Sequence, residues 1–535
     1  MRNIVLTILF VSCCLFLSAV QDTIYVLHTT DVHGNLLSYN YFKDKSADKG
    51  LTKIATFIKD FRHKHQNVIL LDGGDMIQGT PLTYLFNHVE TEAPHPVIAA
   101  MNFMGYDAMS VGNHEIEQGL DVCTRLQEES NFSWLSANSI LDKGRSYFDP
   151  YLILQVAGLK IGILGMTTPG IPKWLDSSIY EGISWKDIVE TSRNHITDLR
   201  EQSDIVIGLF HSGLKPDPPE PGLPQENASG QVADEVPGFD IILGGHSHNT
   251  FPVDTLTITN RNEPLQLISG YHGSKVGVIK VVLERNNGQV SIVEKSGWNE
   301  SILDYISDLE MDTIFAPYHK KTLDFIRRRV AETQSLLTTA DAQFQDNPLI
   351  DLINLVQLKV TGADVSFTSC FNTRVSIEAG PVRVKDIYSI YPYENFLYTF
   401  EMEGRQLKQY LEFAARYYQL EDEDIIFSTE LSGYNYDIAE GISYKIDLTE
   451  PLGSRIKDIR LLASGKLLLE DEIYTVALNS FRGSGGGGYL KEIGLTEPEI
   501  IFKSSQEIRN LIIEYLSSNP GYIFETNNNW KTLMK

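Results

Sequence analysis

Short unbroken apolar runs recur along the first half of the chain: Ile24-Tyr25-Val26-Leu27, Val68-Ile69-Leu70-Leu71, Ile161-Gly162-Ile163-Leu164, Ile205-Val206-Ile207-Gly208-Leu209 and Ile241-Ile242-Leu243. Runs this short, apolar without alternation, predict strands buried on both faces. Between them, Leu51 to His63 and Ile188 to Arg200 carry apolar residues at helical spacing, so the first part is α/β. Strand-like Lys275 to Leu283 and Val290 to Lys295 close it. Helical spacing from about Ile302 to Leu337, with Arg327-Arg328-Arg329 inside it, predicts an inter-domain helix. A second unit follows, with helices over Leu349 to Thr361 and Arg405 to Tyr418 and strands over Leu397 to Glu401, Ile442 to Leu448 and Ile473 to Leu478. The plan is therefore a signal segment at 1–20, a first domain at 21–301, a helix at 302–337 and a second domain at 338–535. Pro216 to Pro237, rich in Pro, Gly and acid, reads as a surface excursion. The glycine run Gly483 to Gly488, flanked by a strand and an apolar segment, reads as a loop that lets backbone approach a neighbour closely.

The amino terminus changes the picture of where the chain works. Arg2, the apolar run Ile4 to Leu17 and then Ser18-Ala19-Val20-Gln21-Asp22 have the layout of a secretory signal peptide, which implies an exported, periplasmic or extracellular protein. The run is short of the roughly 20 residues a membrane span needs, and no later stretch qualifies. Lipidation at Cys13 or Cys14 is an alternative that leaves the protein anchored. Beyond the signal only Cys123 and Cys370 remain of four cysteines, and two isolated buried thiols are expected. A formal net charge of −25 excludes a basic nucleic-acid footprint. Any phosphate must then be met locally, by metal ions or a few arginines.

Candidate chemistry sits where the apolar runs end. Leu27 is followed by His28-Thr29-Thr30-Asp31-Val32-His33-Gly34, Leu71 by Asp72-Gly73-Gly74-Asp75, Phe210 by His211-Ser212-Gly213, and Leu243 by Gly244-Gly245-His246-Ser247-His248; a fifth cluster is Gly112-Asn113-His114-Glu115. Ligands at the carboxyl ends of neighbouring strands converge on one crevice. Mixed carboxylate, imidazole and amide donors suit zinc, manganese, iron or cobalt. Neighbouring glycines (Gly34, Gly74, Gly112, Gly213, Gly245) allow the tight turns that aim these side chains. Asp72 reads as a turn residue or an acceptor behind the ligands. His28, His63, His65, His88, His95, His195, His272 and His319 read as structural or surface residues, with an outer role open to His272.

In order and spacing, Asp31-x-His33, Gly74-Asp75, Gly112-Asn113-His114-Glu115, His211 and Gly245-His246-x-His248 resemble the calcineurin-like metallophosphoesterase signature. Further on, Tyr434-Asn435-Tyr436-Asp437, Glu440-Gly441-Ile442, Asn479-Ser480-Phe481-Arg482 and Asn528-Asn529-Trp530 resemble the carboxyl domain of bacterial 5′-nucleotidases, most nearly the 2′,3′-cyclic-nucleotide 2′-phosphodiesterase/3′-nucleotidase branch. The resemblance implies a four-layer α/β catalytic domain, two mixed sheets between helices, followed by an α+β substrate domain. It implies two divalent ions, one held by Asp31, His33, Asp75 and His248, the other by Asp75, Asn113, His211 and His246, with Asp75 bridging. A two-oxygen carboxylate is independently the group able to bridge ions roughly 3.5–4 Å apart. His114 resembles the catalytic histidine, and Glu117 stands where 5′-nucleotidases carry the aspartate that orients it. Tyr436 and Phe481 are expected to sandwich the base, with Arg374 and Asn395 as ribose or phosphate contacts; a turn residue is the plain alternative for Asn395. Nucleotides are the implied partners. A 5′-nucleotidase or nucleotide-sugar hydrolase is the rival reading. A catalytically dead nucleotide-binding surface protein is the rival of another class, against which the complete ligand set speaks.

Overall fold

Successive residues of the apolar runs divide between different cores. Ile205, Ile207 and Leu209 face one cluster and Val206 and Phe210 another; Ile24 and Val26 share the first of these while Leu27 faces a third. Strands buried on both faces require a layer on each side, and the computed structural model has that arrangement. It describes residues 20–217, 222–286, 289–421, 424–428, 431, 433–495 and 498–534. The expected signal peptide at 1–20, with Cys13 and Cys14, lies outside these residues apart from Val20.

Two sheets pack face to face. In the seven-stranded sheet Val20–Thr29, Val68–Asp72, Ala108–Ser110 and Ser133–Leu135 run parallel; Lys275–Asn286, Gln289–Ser301 and Leu256–Ile258 extend it antiparallel on the other side of Val20–Thr29. In the six-stranded sheet Leu159–Thr167, Ile205–His211, Ile241–Gly244 and Leu265–Ser269 run parallel, with antiparallel edges Tyr151–Val156 and Thr250–Phe251. Ile24, Val26, Ile69 and Leu71 meet Ile161, Ile163, Ile207 and Leu243 between the sheets. Helix Leu51–Lys64 covers the outer face of the first sheet through Leu51, Ile54, Phe57, Ile58 and Phe61, and Ile188–Gln202 covers the second through Ile188, Val189, Ile196 and Leu199. The four expected layers are thus present.

The second domain has its own core. Its five-stranded sheet has the order Ile438–Glu440, Val365–Thr368, Ile473–Asn479, Phe396–Glu403, Phe502–Glu507, flanked by helices Pro348–Thr361, Gly404–Ala414 and Ile508–Ser518. Trp530–Leu533 joins a smaller sheet beside Ile442–Asp447. Cys123 and Cys370 are buried free thiols.

Several elements depart from the sequence expectation. The inter-domain helix is Leu309–Ile326, capped by Asp308, whose Oδ1 accepts from Met311 N at 2.9 Å, and does not span 302–337. Arg329–Thr333 is instead a strand paired with Gly380–Arg383, so the second domain starts near Arg329 rather than at 338. Val330, Ala331 and Thr333 are buried there, and tertiary pairing overrides the local helical spacing. Helix Gly404–Ala414 likewise stops early, and Tyr418 opens a hairpin strand. The acidic excursion carries helix Ser229–Glu235. The glycine run forms short helical turns around the residues it approaches: a Cβ on Gly486 would lie 2.6 Å from the Phe481 ring, and one on Gly487 2.1 Å from Arg482 Nη1.

The carboxyl end is tied to this domain through carboxylates. Asp346 accepts from Asn528 N at 2.7 Å, Asp351 from Asn527 N at 3.4 Å and Glu440 from Asn527 Nδ2 at 2.8 Å. Burial, and then the charge of Asp346, push the Asp351 carboxyl up to about 9. Its unfolded value is about 3.9, so ionising it costs the folded state; the cost is absent at low pH and grows as pH rises from about 4 towards 9. Asp351→Asn should therefore raise the melting temperature at pH 8 and leave it unchanged at pH 3, measured by thermal circular dichroism. A uniform loss at both pH values would contradict this.

Candidate metal centre and cleft

All seven candidate ligands lie at the carboxyl ends of parallel strands. Asp31 and His33 follow Val20–Thr29, Asp75 follows Val68–Asp72, Asn113 opens the short helix after Ala108–Ser110, His211 ends Ile205–His211, and His246 and His248 follow Ile241–Gly244. Five of them, Asp31, His33, Asp75, His246 and His248, hold left-handed backbone, with φ between 49° and 66°. Each such non-glycine residue costs roughly 1–2 kcal/mol, so the surroundings must fix it. They do so by bonds between loops: Asp31 N donates to Gly74 O, His33 N to Asp75 O and Gly34 N to Met76 O, each at 2.9 Å.

The glycines divide into two kinds. Gly34 and Gly74 have φ of 65° and 96° and make turns, as expected. Gly112, Gly213 and Gly245 are not left-handed; they make room. A Cβ on Gly112 would fall 2.1 Å from Asp75 Oδ1, and one on Gly245 2.4 Å from Thr30 Oγ1.

Donor atoms gather in three overlapping groups that could each hold an ion: Asp31, His33 and His248; His33, Asp75 and His114; Asp75, His211 and His246. His33 Nε2 and His248 Nε2 face each other at 3.0 Å, with Asp31 Oδ1 3.4 Å from the latter. His211 Nδ1 donates to Gly73 O at 2.7 Å, which leaves Nε2 facing Asp75 Oδ2 at 3.1 Å and Asn113 Oδ1 at 3.2 Å. His246 spends Nε2 on Glu226 at 2.8 Å. Such carbonyl and carboxylate partners behind an imidazole fix its tautomer for ligation. The donor set therefore fits a pair of borderline divalent ions. Burial penalises the Asp75 carboxylate, but the neighbouring His211 and His114, together with the hydrogen bond from His211, hold it well below the usual range. His33 is pushed down to about 4, chiefly by burial, and so is kept a neutral donor.

His114 stands beside this cluster. Its N–H donates to Asp75 Oδ1 at 3.0 Å and its Nδ1 pairs with Glu117 Oε2 one helical turn on. Burial acts to lower its pKa, but the Asp75 and Glu117 carboxylates override this and raise it to about 10. The glutamate's extra methylene is thus no obstacle to the pair. Asp72 accepts from Gly74 N at 2.7 Å and Thr29 Oγ1 at 2.6 Å, the supporting role expected of it. His272 donates its N–H to Asp31 O at 2.7 Å and packs its ring 5.6 Å from His33.

The centre opens into a cleft of about 310 Å³ between the domains. Asn113, His114, Glu117, Trp174 and His246 form one wall; Phe371, Tyr393, Glu394, Asn395, Tyr434, Phe481 and Arg482 form the other. Phe481 and Asn395, the candidates for base and ribose or phosphate contacts, line this cleft. Tyr436 does not: it is 1% exposed, stacked 4.8 Å from Tyr417, and its hydroxyl accepts from Cys370 N at 3.3 Å. The turn at Gly433-Tyr434 leaves Tyr434 at the rim, 40% exposed, and carries Tyr436 into the core. Arg374 also departs from expectation, lining a neighbouring cleft instead. Arg482 is the residue sequence reasoning missed on this wall. Its buried guanidinium binds Asp437 through two 2.9 Å contacts and sits 5.5 Å from the Phe481 ring centre, supporting that ring from behind.

The sequence pattern of calcineurin-like phosphoesterases matches residues 24–250, and that of the 5′-nucleotidase C-terminal domain matches 329–492. The chain thus joins a calcineurin-like phosphoesterase domain to a 5′-nucleotidase C-terminal domain. It is 27% identical to a 2′,3′-cyclic-nucleotide 2′-phosphodiesterase/3′-nucleotidase of Yersinia enterocolitica over 95% of this chain and 87% of that one. It is 28% identical to a 5′-nucleotidase of Vibrio vulnificus over 88% of this chain and 87% of the other. The trifunctional nucleotide phosphoesterase protein YfkN of Bacillus subtilis is 27% identical over 96% of this chain, which spans only 39% of that longer protein. A Staphylococcus aureus protein crystallised with α-ketoglutarate shares the fold with TM-score 0.81 and 22% identity, over 96% of this chain and 100% of that one. Calcineurin-like phosphoesterases use a dinuclear metal site, and nucleotide phosphoester hydrolysis is the chemistry these relatives support.

Within the family signature, Glu115 takes a role that its position beside Asn113 and His114 did not announce. Its fully buried carboxylate accepts from Asp75 N at 2.8 Å, Met76 N at 2.7 Å and Gly112 N at 2.8 Å. Glu115→Ala leaves these buried N–H groups without an acceptor, and should destabilise the protein by about 3–5 kcal/mol in urea unfolding while weakening metal binding. A loss below about 1 kcal/mol with unchanged metal affinity would show that the loops hold themselves.

Proposed function

We propose that the chain is an exported hydrolase of nucleotide phosphate esters, acting on 2′,3′-cyclic nucleotides and on the 3′-monophosphates they yield. The observation that carries this reading is the pairing, across one cleft, of a two-ion donor set with an aromatic wall. Two divalent ions, which Asp31, His33, Asp75, Asn113, His211, His246 and His248 would hold, would supply Lewis acidity towards the phosphoryl oxygens and an activated water. Asp75 lies between the donor groups: its Oδ1 accepts from His114 N and its Oδ2 faces His211 Nε2, which Asn113 Oδ1 also approaches. His114, held at Nδ1 by Glu117, offers a proton at Nε2 to the leaving oxygen. Phe481 and Tyr434 grip the base; stacking suits a site that accepts several bases, because each has a π face. Opening of the cyclic ester and removal of the remaining phosphate then use one centre and one base pocket. The signal-like amino terminus supports export, and the relatives of the cyclic-nucleotide branch support the substrate class.

A substrate panel tests the assignment. With added manganese, cobalt or zinc, kcat/KM should be highest for 2′,3′-cyclic AMP and 3′-AMP and clearly lower for 5′-AMP; the reverse order would assign a 5′-nucleotidase. Phe481→Ala or Tyr434→Ala should weaken nucleotide binding by roughly 1–3 kcal/mol while hardly affecting bis(p-nitrophenyl) phosphate, which has no base. Equal losses on both substrates would mean these rings serve the fold.

A further inference from the structure

Beside the main cleft lies a second one, of about 780 Å³, and the two share Phe371 in their walls. Its lining combines Lys43 and Lys45, from the hairpin that follows the Asp31-Val32-His33 loop, with Arg374 and Lys385 of the second domain. Among the described residues, the side chains of Lys43, Lys45 and Arg374 have no hydrogen bond or ion pair; Lys43 and Arg374 donate backbone N–H groups to Asn40 and Asn372, and Lys45 pairs with Asn40 in the hairpin. Lys385 lies 3.3 Å from Asp44, but Asp44 is also the partner of Arg327 at 2.8 Å, so one carboxylate serves two cations. Asp386, the acid in the lining, accepts from Arg383 N at 2.7 Å. Tyr388 adds a buried hydroxyl without a hydrogen-bond partner.

A chain of net charge −25 has here gathered four cations in one concavity against Asp386 in the lining and Asp44, which Arg327 shares. Such cations repel one another and lower each other's stability unless an anion joins them. The excess is felt nearby, since the Lys49 ammonium is held below its usual value by burial and then by Lys43. A phosphate suits the set, because Arg374 presents a planar fork and the lysines point charges.

We propose that this cleft is a second phosphate subsite, which binds the phosphoryl group on the 5′ oxygen of a substrate whose 3′ or 2′,3′-cyclic phosphate occupies the metal centre. The proposal rests on the cyclic-nucleotide reading above. With the scissile phosphate at the metals and the base against Phe481, the 5′ oxygen is the ribose position left to extend, and the cleft beyond Phe371 is where its substituent finds positive charge. The class of reaction that supplies such substrates is cleavage of RNA by attack of a 2′ hydroxyl on the adjoining phosphodiester, which leaves 2′,3′-cyclic ends on short fragments. The overall negative charge then keeps long polyanions away while the cleft admits one local phosphate.

The test compares kcat/KM for adenosine 2′,3′-cyclic phosphate, its 5′-phosphorylated form and a dinucleotide ending in the same cyclic phosphate, in wild type and in the Lys43→Gln/Lys45→Gln variant. Wild type at low salt should prefer at least one extended substrate by about tenfold, a preference that high salt reduces. The variant should lose that preference and keep its rate on the unextended nucleotide within about twofold. Preference for the 5′-monoester alone identifies bisphosphorylated mononucleotides as the ligand, and preference for the dinucleotide identifies RNA fragments. Turnover of the unextended nucleotide with no preference in wild type, or a preference that survives in the variant, overturns the subsite. Failure of wild type to turn over the unextended cyclic nucleotide at all overturns the functional reading, and the subsite with it.

Discussion

Three backbone N–H groups converge on the carboxylate of Glu115, and they belong to the two loops that carry Asp75 and Asn113. A buried carboxylate is costly to solvate poorly, so its acceptance of Asp75 N, Met76 N and Gly112 N is as much a requirement of Glu115 as of the loops. From this one contact the rest of the centre follows. It sets Asp75 where its Oδ1 meets His114 N and its Oδ2 meets His211, and it starts the short helix that places His114 and Glu117 on the cleft wall.

The same loops carry strain. Left-handed backbone at Asp31, His33, Asp75, His246 and His248 is unfavourable for each residue alone, yet it lets successive side chains from tight turns point at one spot. Both sheets contribute such turns because their parallel strands end at the same edge of the sandwich. The inter-sheet core of Ile, Leu and Val holds those ends in register, so apolar packing at a distance fixes the spacing of polar atoms at the centre. The second domain closes the site from the other side: Gln118 Nε2 reaches Glu394 at 3.0 Å, and Arg509 holds Glu394 and Glu507 at 3.2 and 2.8 Å. The cluster of metal-binding side chains and the aromatic wall thus belong to two cores that meet at one cleft.

Much of this was legible in the sequence for identifiable reasons. Unbroken apolar runs ending in ligand clusters marked Val20–Thr29, Val68–Asp72, Ile205–His211 and Ile241–Gly244, since burial on both faces leaves no other pattern. Ala108–Ser110 was invisible, being three residues long, although the Asn113-His114 cluster after it was plain. The Arg329–Thr333 strand was misread as helix because its partner, Gly380–Arg383, is remote in sequence. Tyr436 was misplaced because a tyrosine in a polar loop gives no sign of which side of a turn it takes; Tyr434, two residues earlier, is the one at the rim. Glu115 and Arg482 escaped because their work is to hold backbone and ring in place, and only the folded chain shows what a buried charge is bonded to.

The central claim is that these strand ends hold two ions, with Asp75 between them. It is tested most directly by counting: equilibrium dialysis of the purified protein with manganese, followed by electron paramagnetic resonance of the loaded sample. The account predicts two ions per chain and a spin-coupled spectrum, since ions sharing a carboxylate lie roughly 3.5–4 Å apart. A single ion per chain, or two ions with the spectrum of isolated centres, would contradict it.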